Sequence, residues 1–124
     1  MQNTFHDSLL GKWGEELACK YLRQHNYKLL ARNFRHHRYS EIDIIAQKGE
    51  ELFFIEVKTR ASSKYGRPAE AVTPVKQQKI HRCAEYYLQQ QGLLAHTPPL
   101  SFDVIEIILE GTKLISFVHN QHCF

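Results

Sequence analysis

The stretch Glu41-Ile42-Asp43-Ile44-Ile45, a turn containing Gly49, and then Phe54-Ile55-Glu56-Val57-Lys58 limits what this chain can fold into more than any other segment. Alternation on both arms predicts a β-hairpin over about 41–46 and 52–59, with glycine first in a two-residue turn at Gly49-Glu50. That register sets Asp43 opposite Glu56 and Glu41 opposite Lys58. Strand side chains alternate faces, so Glu41, Asp43, Glu56 and Lys58 share one face, while Ile42, Ile44, Ile55 and Val57 share the other and can cover a core. Moving the turn back by one residue leaves the polar face intact. A three-residue loop would disturb it.

Like charges directly opposed on a sheet are destabilising, so the placement of Asp43 against Glu56 calls for a compensating cation. Magnesium and similar hard ions take one or two carboxylates and fill the remaining shell with water and substrate phosphate. Lys58, two residues after the second carboxylate, would stand on the rim, where an ammonium can hold an attacking water or stabilise charge growing on a phosphate. These are the parts of a site for metal-assisted phosphodiester hydrolysis. The competing reading is a solvated face on which Glu41 and Lys58 pair across the strands, an arrangement worth only about 0 to 1 kcal/mol and needing no further purpose.

Flanking residues bear on that choice. Gly11-Lys-Trp-Gly14-Glu15-Glu-Leu-Ala18, Tyr21-Leu22, Arg32-Asn33, Glu41-Ile42-Asp43, Phe54-Ile55-Glu56-Val57-Lys58-Thr59-Arg60, Gly66, Ala71-Val72-Thr73-Pro74, Lys76 and Phe102-Asp103 follow one another in an order that resembles the YraN family of small bacterial proteins. The resemblance runs over nearly the whole chain. It implies a restriction-endonuclease-like fold of the PD-(D/E)XK superfamily, related to archaeal Holliday-junction resolvases, in which a central mixed sheet is flanked by helices as a three-layer α/β sandwich. It further implies Asp43, Glu56 and Lys58 as the catalytic group, with Glu15 on the first helix completing a Mg2+ or Mn2+ site. Two positions depart from the family pattern: Ser40 replaces a usual glycine before Glu41, and Ser101 replaces a usual arginine before Phe102. The second removes a cation, and with it a salt bridge or a phosphate contact.

A chain of 124 residues has the length of one domain, 1–124, and no composition shift or linker divides it. No apolar run approaches the roughly 18 residues of a membrane span, and Met1-Gln-Asn-Thr-Phe-His-Asp does not read as a signal peptide. A cytoplasmic protein with no membrane partner is expected. Cys19, Cys83 and Cys123 are odd in number and far apart, which argues against a disulfide framework. His119-Asn-Gln-His122-Cys123 lacks a second ligand pair for zinc and reads as a frayed polar tail.

Helix signals place a first helix from Asp7 or Ser8 to about Gln24, with an apolar stripe of Leu9, Leu10, Trp13, Leu17, Tyr21 and Cys19. Gly11 and Gly14 weaken it, and close approach to the sheet or to substrate would account for both. A strand is expected over Tyr27–Asn33, then a basic connection over 34–38. Thr73-Pro74 starts a second helix reaching about Gln91, with Val75, Ile80, Cys83, Ala84, Tyr87 and Leu88 inward. Two more strands, Leu100–Leu109 and Lys113–His119, close the list, with Asp103 in a structural role beside a basic side chain.

The formal charge of +3 permits a polyanionic partner without demanding one. Distribution says more: basic residues group as Arg32, Arg35 and Arg38, as Arg60, Lys64 and Arg67, and as Lys76, Lys79 and Arg82. Arg35, Arg38, Arg60, Lys64, Arg67, Lys76 and Lys79 are the expected nucleic-acid contacts, through sequence-independent phosphate binding that weakens with salt. The first reading is a Mg2+- or Mn2+-dependent endonuclease acting on DNA rather than RNA. A second is a nucleic-acid-binding module with the nuclease fold and little turnover; a third is an adaptor pairing through a sheet edge. A homodimer would bring two sites together, and the sequence leaves it open.

Overall fold

The hairpin forms in the register its turn dictates. The computed structural model describes residues 4–62 and 72–124, with side chains from Leu9 onward. Its elements are α1 (Thr4–Gln24), β1 (Lys28–His36), β2 (Ser40–Lys48), β3 (Glu51–Ala61), α2 (Pro74–Gln90), β4 (Leu100–Glu110) and β5 (Lys113–Asn120). Across the β2–β3 turn, Lys48 faces Glu51, Ile45 faces Phe54 and Ile44 faces Ile55. Gly49 takes φ +62°, a left-handed value that glycine adopts without steric cost.

The five strands lie in the order β1-β2-β3-β4-β5. β1, β2 and β3 are antiparallel neighbours, β3 and β4 are parallel, and β5 returns antiparallel to β4. Parallel neighbours need a crossover, and α2 supplies it. The sheet is therefore mixed, and helices flank it on both faces. On one face Ala18, Cys19 and Leu22 of α1 pack with Ile44, Ala46, Phe53, Ile55, Ile105, Ile107 and Leu109. On the other, Ile80, Cys83, Ala84, Tyr87 and Leu88 of α2 pack with Ile42, Ile45, Leu52 and Phe54. The uninterrupted run Leu52-Phe53-Phe54-Ile55 is what a strand covered on both faces requires.

Several local expectations shift. α1 begins at Thr4 rather than at Asp7 or Ser8, and β1 continues through Phe34-Arg35-His36, leaving a short turn before β2. Leu9 and Trp13 are half exposed, as is Val75 of α2. The rest of the expected stripe, Leu10, Leu17, Cys19 and Tyr21, meets the core together with Ala18 and Leu22, and the helix comes close to the sheet at a small residue. A Cβ on Gly14 would overlap Thr59 Oγ1 and stand 2.9 Å from Thr59 Cβ and Cγ2, whereas nothing lies within 4 Å of one on Gly11. Close approach explains Gly14 and not Gly11.

The C-terminal tail is held rather than frayed. Cys123 N donates to Phe102 O at 2.7 Å, and His122 N donates to Asp103 Oδ1 at 3.2 Å. Asp103 is fully buried: Oδ2 meets His119 Nε2 at 2.7 Å, Oδ1 accepts from Ser101 Oγ, and His119 Nδ1 meets Tyr21 Oη at 3.1 Å. The structural role expected of Asp103 beside a basic group is thus filled by His119. All three cysteines are free thiols, Cys19 buried under α1, Cys83 buried under α2 and Cys123 exposed. Among the described residues no helix is long and apolar enough to cross a membrane.

Candidate active site

The face carrying the hairpin's charges is only partly open to solvent, with Glu41, Asp43 and Lys58 half-buried and Glu56 buried. By strand alternation Glu56 and Lys58 lie on the α2 side of β3, and α2 covers Glu56 to 4% exposure. Burial of that depth rules out the solvated-face reading. The pairing it invoked is also absent among the described residues: Glu41 Oε2 accepts from Arg35 Nε of β1 at 3.1 Å instead of meeting Lys58.

The β2–β3 ladder stops at Ile44 and Ile55, one step before Asp43 and Glu56. There Asp43 Oδ2 accepts the Val57 backbone N–H at 2.8 Å, a side chain standing in for a ladder partner. The alternation of β2 also breaks at this point, since Ile42 packs with the α2 layer and Ile44 with the α1 layer. Ile42 therefore does not share a core face with Ile44, Ile55 and Val57 as simple alternation predicts. Across from Asp43, Asn33 of β1 takes φ +51°, and this irregular backbone accompanies the switch.

Where the strands part, a cleft of about 500 Å³ opens, lined by Tyr39, Ser40, Glu41, Asp43, Glu56, Thr73, Val75, Lys76, Lys79 and Ile80. Its α2 wall is set by local chemistry. Thr73 caps the helix, its Oγ1 accepting from Lys76 N at 3.2 Å, and Pro74 supplies a first-turn residue that has no N–H to lose. Lys76 is thereby fixed in the first turn above β3, and its Nζ lies 3.2 Å from Glu56 Oε2. Lys58 is its neighbour in the cleft, near enough for each lysine to shift the other's proton affinity. The other Glu56 oxygen, Oε1, is buried without a partner, as is Ser40 Oγ on the same cleft wall.

Electrostatics follow from this crowding. Burial, then the Asp43 charge, push the Glu56 carboxyl up to about 7. Asp43 is raised by burial and partly restored by the Val57 N–H. Burial and then Asp43 raise Glu15. Burial first, then the neighbouring Lys76, lower Lys58. Burial thus drives these acids and Lys58 alike toward their neutral forms within one cleft, a pattern that functional sites and structural ion-pair networks share.

Glu15 reaches the cleft through Asn33. With its amide oriented to donate, Asn33 Nδ2 stands 3.2 Å from Glu15 Oε1 and 2.9 Å from Glu41 Oε1. Sequence reasoning missed this bridge, although an asparagine inside a strand pattern is a signal for left-handed backbone. It also assigned Lys76 to phosphate contact and overlooked its hold on Glu56. Of the expected nucleic-acid contacts, Lys79 lines the cleft, Arg35 and Arg38 border a shallow neighbouring depression with Tyr39, and Arg60 continues the Glu56–Lys58 face of β3. Arg32 is tied to Glu16 at 2.8 Å. Lys64 and Arg67 lie outside the described residues.

Among the described residues no three His, Cys, Asp or Glu side chains converge into a ready-made metal cage. A magnesium-type ion does not need one, since one or two carboxylates suffice. Asp43 and Glu56 both line the cleft, and the buried, unpartnered Glu56 Oε1 is a fitting donor for such an ion.

Comparison with known proteins places this arrangement in a family. Residues 14–107 match the profile of the uncharacterised protein family UPF0102. A UPF0102 protein of Syntrophomonas wolfei is 47% identical over 104 residues, covering 84% of this chain and 88% of its own. One from Alkaliphilus metalliredigens is 43% identical over 111 residues, covering 90% of this chain and 95% of its own. Another, from Geobacter sulfurreducens, is 43% identical over 123 residues, covering 99% and 94%. On the profile match and these relatives, the chain belongs to the UPF0102 family, the YraN family its sequence resembles.

Proposed function

We propose that this protein is a metal-dependent nuclease that hydrolyses DNA phosphodiester bonds in the cleft between β2, β3 and α2. The observation carrying the reading is the buried Glu56, with an unpartnered Oε1, beside Asp43 and a lysine whose pKa is lowered. Burial of a carboxylate is costly, and leaving one of its oxygens unsatisfied adds to the cost. A site that accepts both penalties is one that gains a ligand.

In this reading Asp43 and Glu56 hold Mg2+ or Mn2+, and Glu15 acts through Asn33 and water. When bound, the ion supplies Lewis acidity to a phosphoryl oxygen and makes a water more acidic. Lys58, with its lowered pKa, is better suited than an ordinary lysine to take a proton from the attacking water or to orient it. Lys79, Arg35, Arg38 and Arg60 hold flanking phosphates.

The test is cleavage of labelled single-stranded, duplex, flapped and four-way-junction DNAs with Mg2+ or Mn2+, against a metal-free control. Cutting that requires metal and disappears in Glu56→Ala supports the assignment. Full activity in Glu56→Ala or Lys58→Ala would sink it. A second reading, a DNA-binding module with little turnover, draws on the Lys76 ammonium already seated on Glu56. Salt-sensitive binding of every DNA without cutting would establish that alternative.

A further inference from the structure

The cleft already contains a cation. Lys76 Nζ lies 3.2 Å from Glu56 Oε2, on a side chain that is 41% exposed, while the Glu56 side chain is 5% exposed. Lys58 is a neighbour of Lys76 in the same space. Asp43 and Glu56 therefore share the cleft with two lysines, of which Lys76 is the one seated on a carboxylate oxygen.

We propose that Lys76 is a resident counter-cation that a divalent ion must displace from Glu56, so that this side chain sets the threshold for metal entry. The inference rests on reading Asp43 and Glu56 as metal carboxylates. A dication arriving with Lys76 in place would meet the repulsion of an ammonium in a half-buried cleft and find Glu56 Oε2 already taken. With Lys76 swung outward the repulsion falls and that oxygen is freed for the ion.

The two lysines are not equivalent for this exchange. Lys58 stands on β3, a central strand hydrogen-bonded to β2 and β4 on either side. Lys76 stands in the first turn of α2 at the mouth of the cleft, and its long aliphatic stem lets the ammonium move to water by rotamer changes alone. An ammonium on a buried carboxylate competes directly with any ion that needs the same oxygen, and a charge-assisted bond of this kind shifts a binding constant by roughly tenfold or more.

The experiment is a calorimetric titration of Mn2+ into wild type, Lys76→Met, Lys76→Gln and Lys79→Met, without DNA and at mildly alkaline pH so that Glu56 is ionised. Thermal melts verify that each variant folds. Lys76→Met and Lys76→Gln are expected to bind Mn2+ at least about tenfold tighter than wild type. Lys79→Met, which removes a cation from the same cleft without touching a bond to Glu56, is expected to stay within about twofold, as an exposed charge does. Unchanged or weaker binding in both Lys76 variants overturns the proposal, as does an equal gain in Lys79→Met, which would reveal only a general field. Tighter Mn2+ binding with no DNA cleavage keeps this inference and removes the nuclease reading. Metal-dependent cleavage with unaltered Mn2+ affinity does the reverse.

Discussion

Asp43 Oδ2 accepts the backbone N–H of Val57 at 2.8 Å, so a carboxylate of the cleft also closes the sheet where the β2–β3 ladder ends. One side chain thus has a structural duty and a chemical one. Asp43→Ala leaves a half-buried N–H without its acceptor and is expected to cost about 1–3 kcal/mol. Asp43→Asn keeps an acceptor oxygen and is expected to cost less. Urea denaturation of both variants checks this ordering, and equal stabilities would show that the Val57 bond contributes nothing.

The raised Glu56 carboxyl gives an unusual dependence on pH. The folded protein binds that proton up to about 7, whereas an unfolded chain releases it near 4.5. Stability from this group is therefore complete below about 4.5, declines as pH rises, and is gone above about 7, a total of roughly 3 kcal/mol. Asp43 and Glu15 are shifted in the same direction and add to the decline. Denaturation curves collected across this window should flatten in Glu56→Gln. An unaltered slope in that variant would remove Glu56 as its source.

Gly14 sets the distance between α1 and β3. Gly14→Ala drives a methyl into Thr59 and is expected to destabilise by about 1–3 kcal/mol through overpacking. Removing the Thr59 hydroxyl and methyl in a Gly14→Ala/Thr59→Ala double variant should recover part of the loss. A double-mutant cycle measures this coupling, and strict additivity would contradict the contact.

Asp103 is an acceptor for Ser101, His119 and the His122 backbone at once. Asp103→Ala takes an acceptor from all three and is expected to cost about 1–3 kcal/mol. Amide exchange in the tail after His119 should quicken, because His122 N loses one of its two acceptors. Unchanged protection there would mean that Phe102 O and Ser101 Oγ suffice to hold the tail.

Local rules were legible in the sequence where one residue decides the outcome. Gly49 fixed the hairpin register, and Thr73-Pro74 fixed the start of α2. What stayed hidden depends on packing between distant segments. Glu56 is buried in the layer that α2 forms on this side of the sheet, and Lys76 meets it from the capped first turn of that helix. The apolar stripe of α1 was legible through Leu10, Leu17, Cys19 and Tyr21, which meet the core, whereas Leu9 and Trp13 stay exposed and the close contact at Gly14 was hidden. Ser101 stands where the resembled pattern has arginine, yet the partner of Asp103 Oδ2 is His119 on another strand. No reading of neighbouring residues would place it there.

The distribution of thiols gives the molecule three built-in stopwatches. Cys19 reports on separation of α1 from the sheet, Cys83 on separation of α2, and exposed Cys123 serves as the unprotected reference. Thiol-exchange kinetics on the unmodified chain can therefore time the opening of each helical layer separately. Because the cleft lies under α2, a ligand that closes it should slow the Cys83 clock while leaving that of Cys19 running at its own rate.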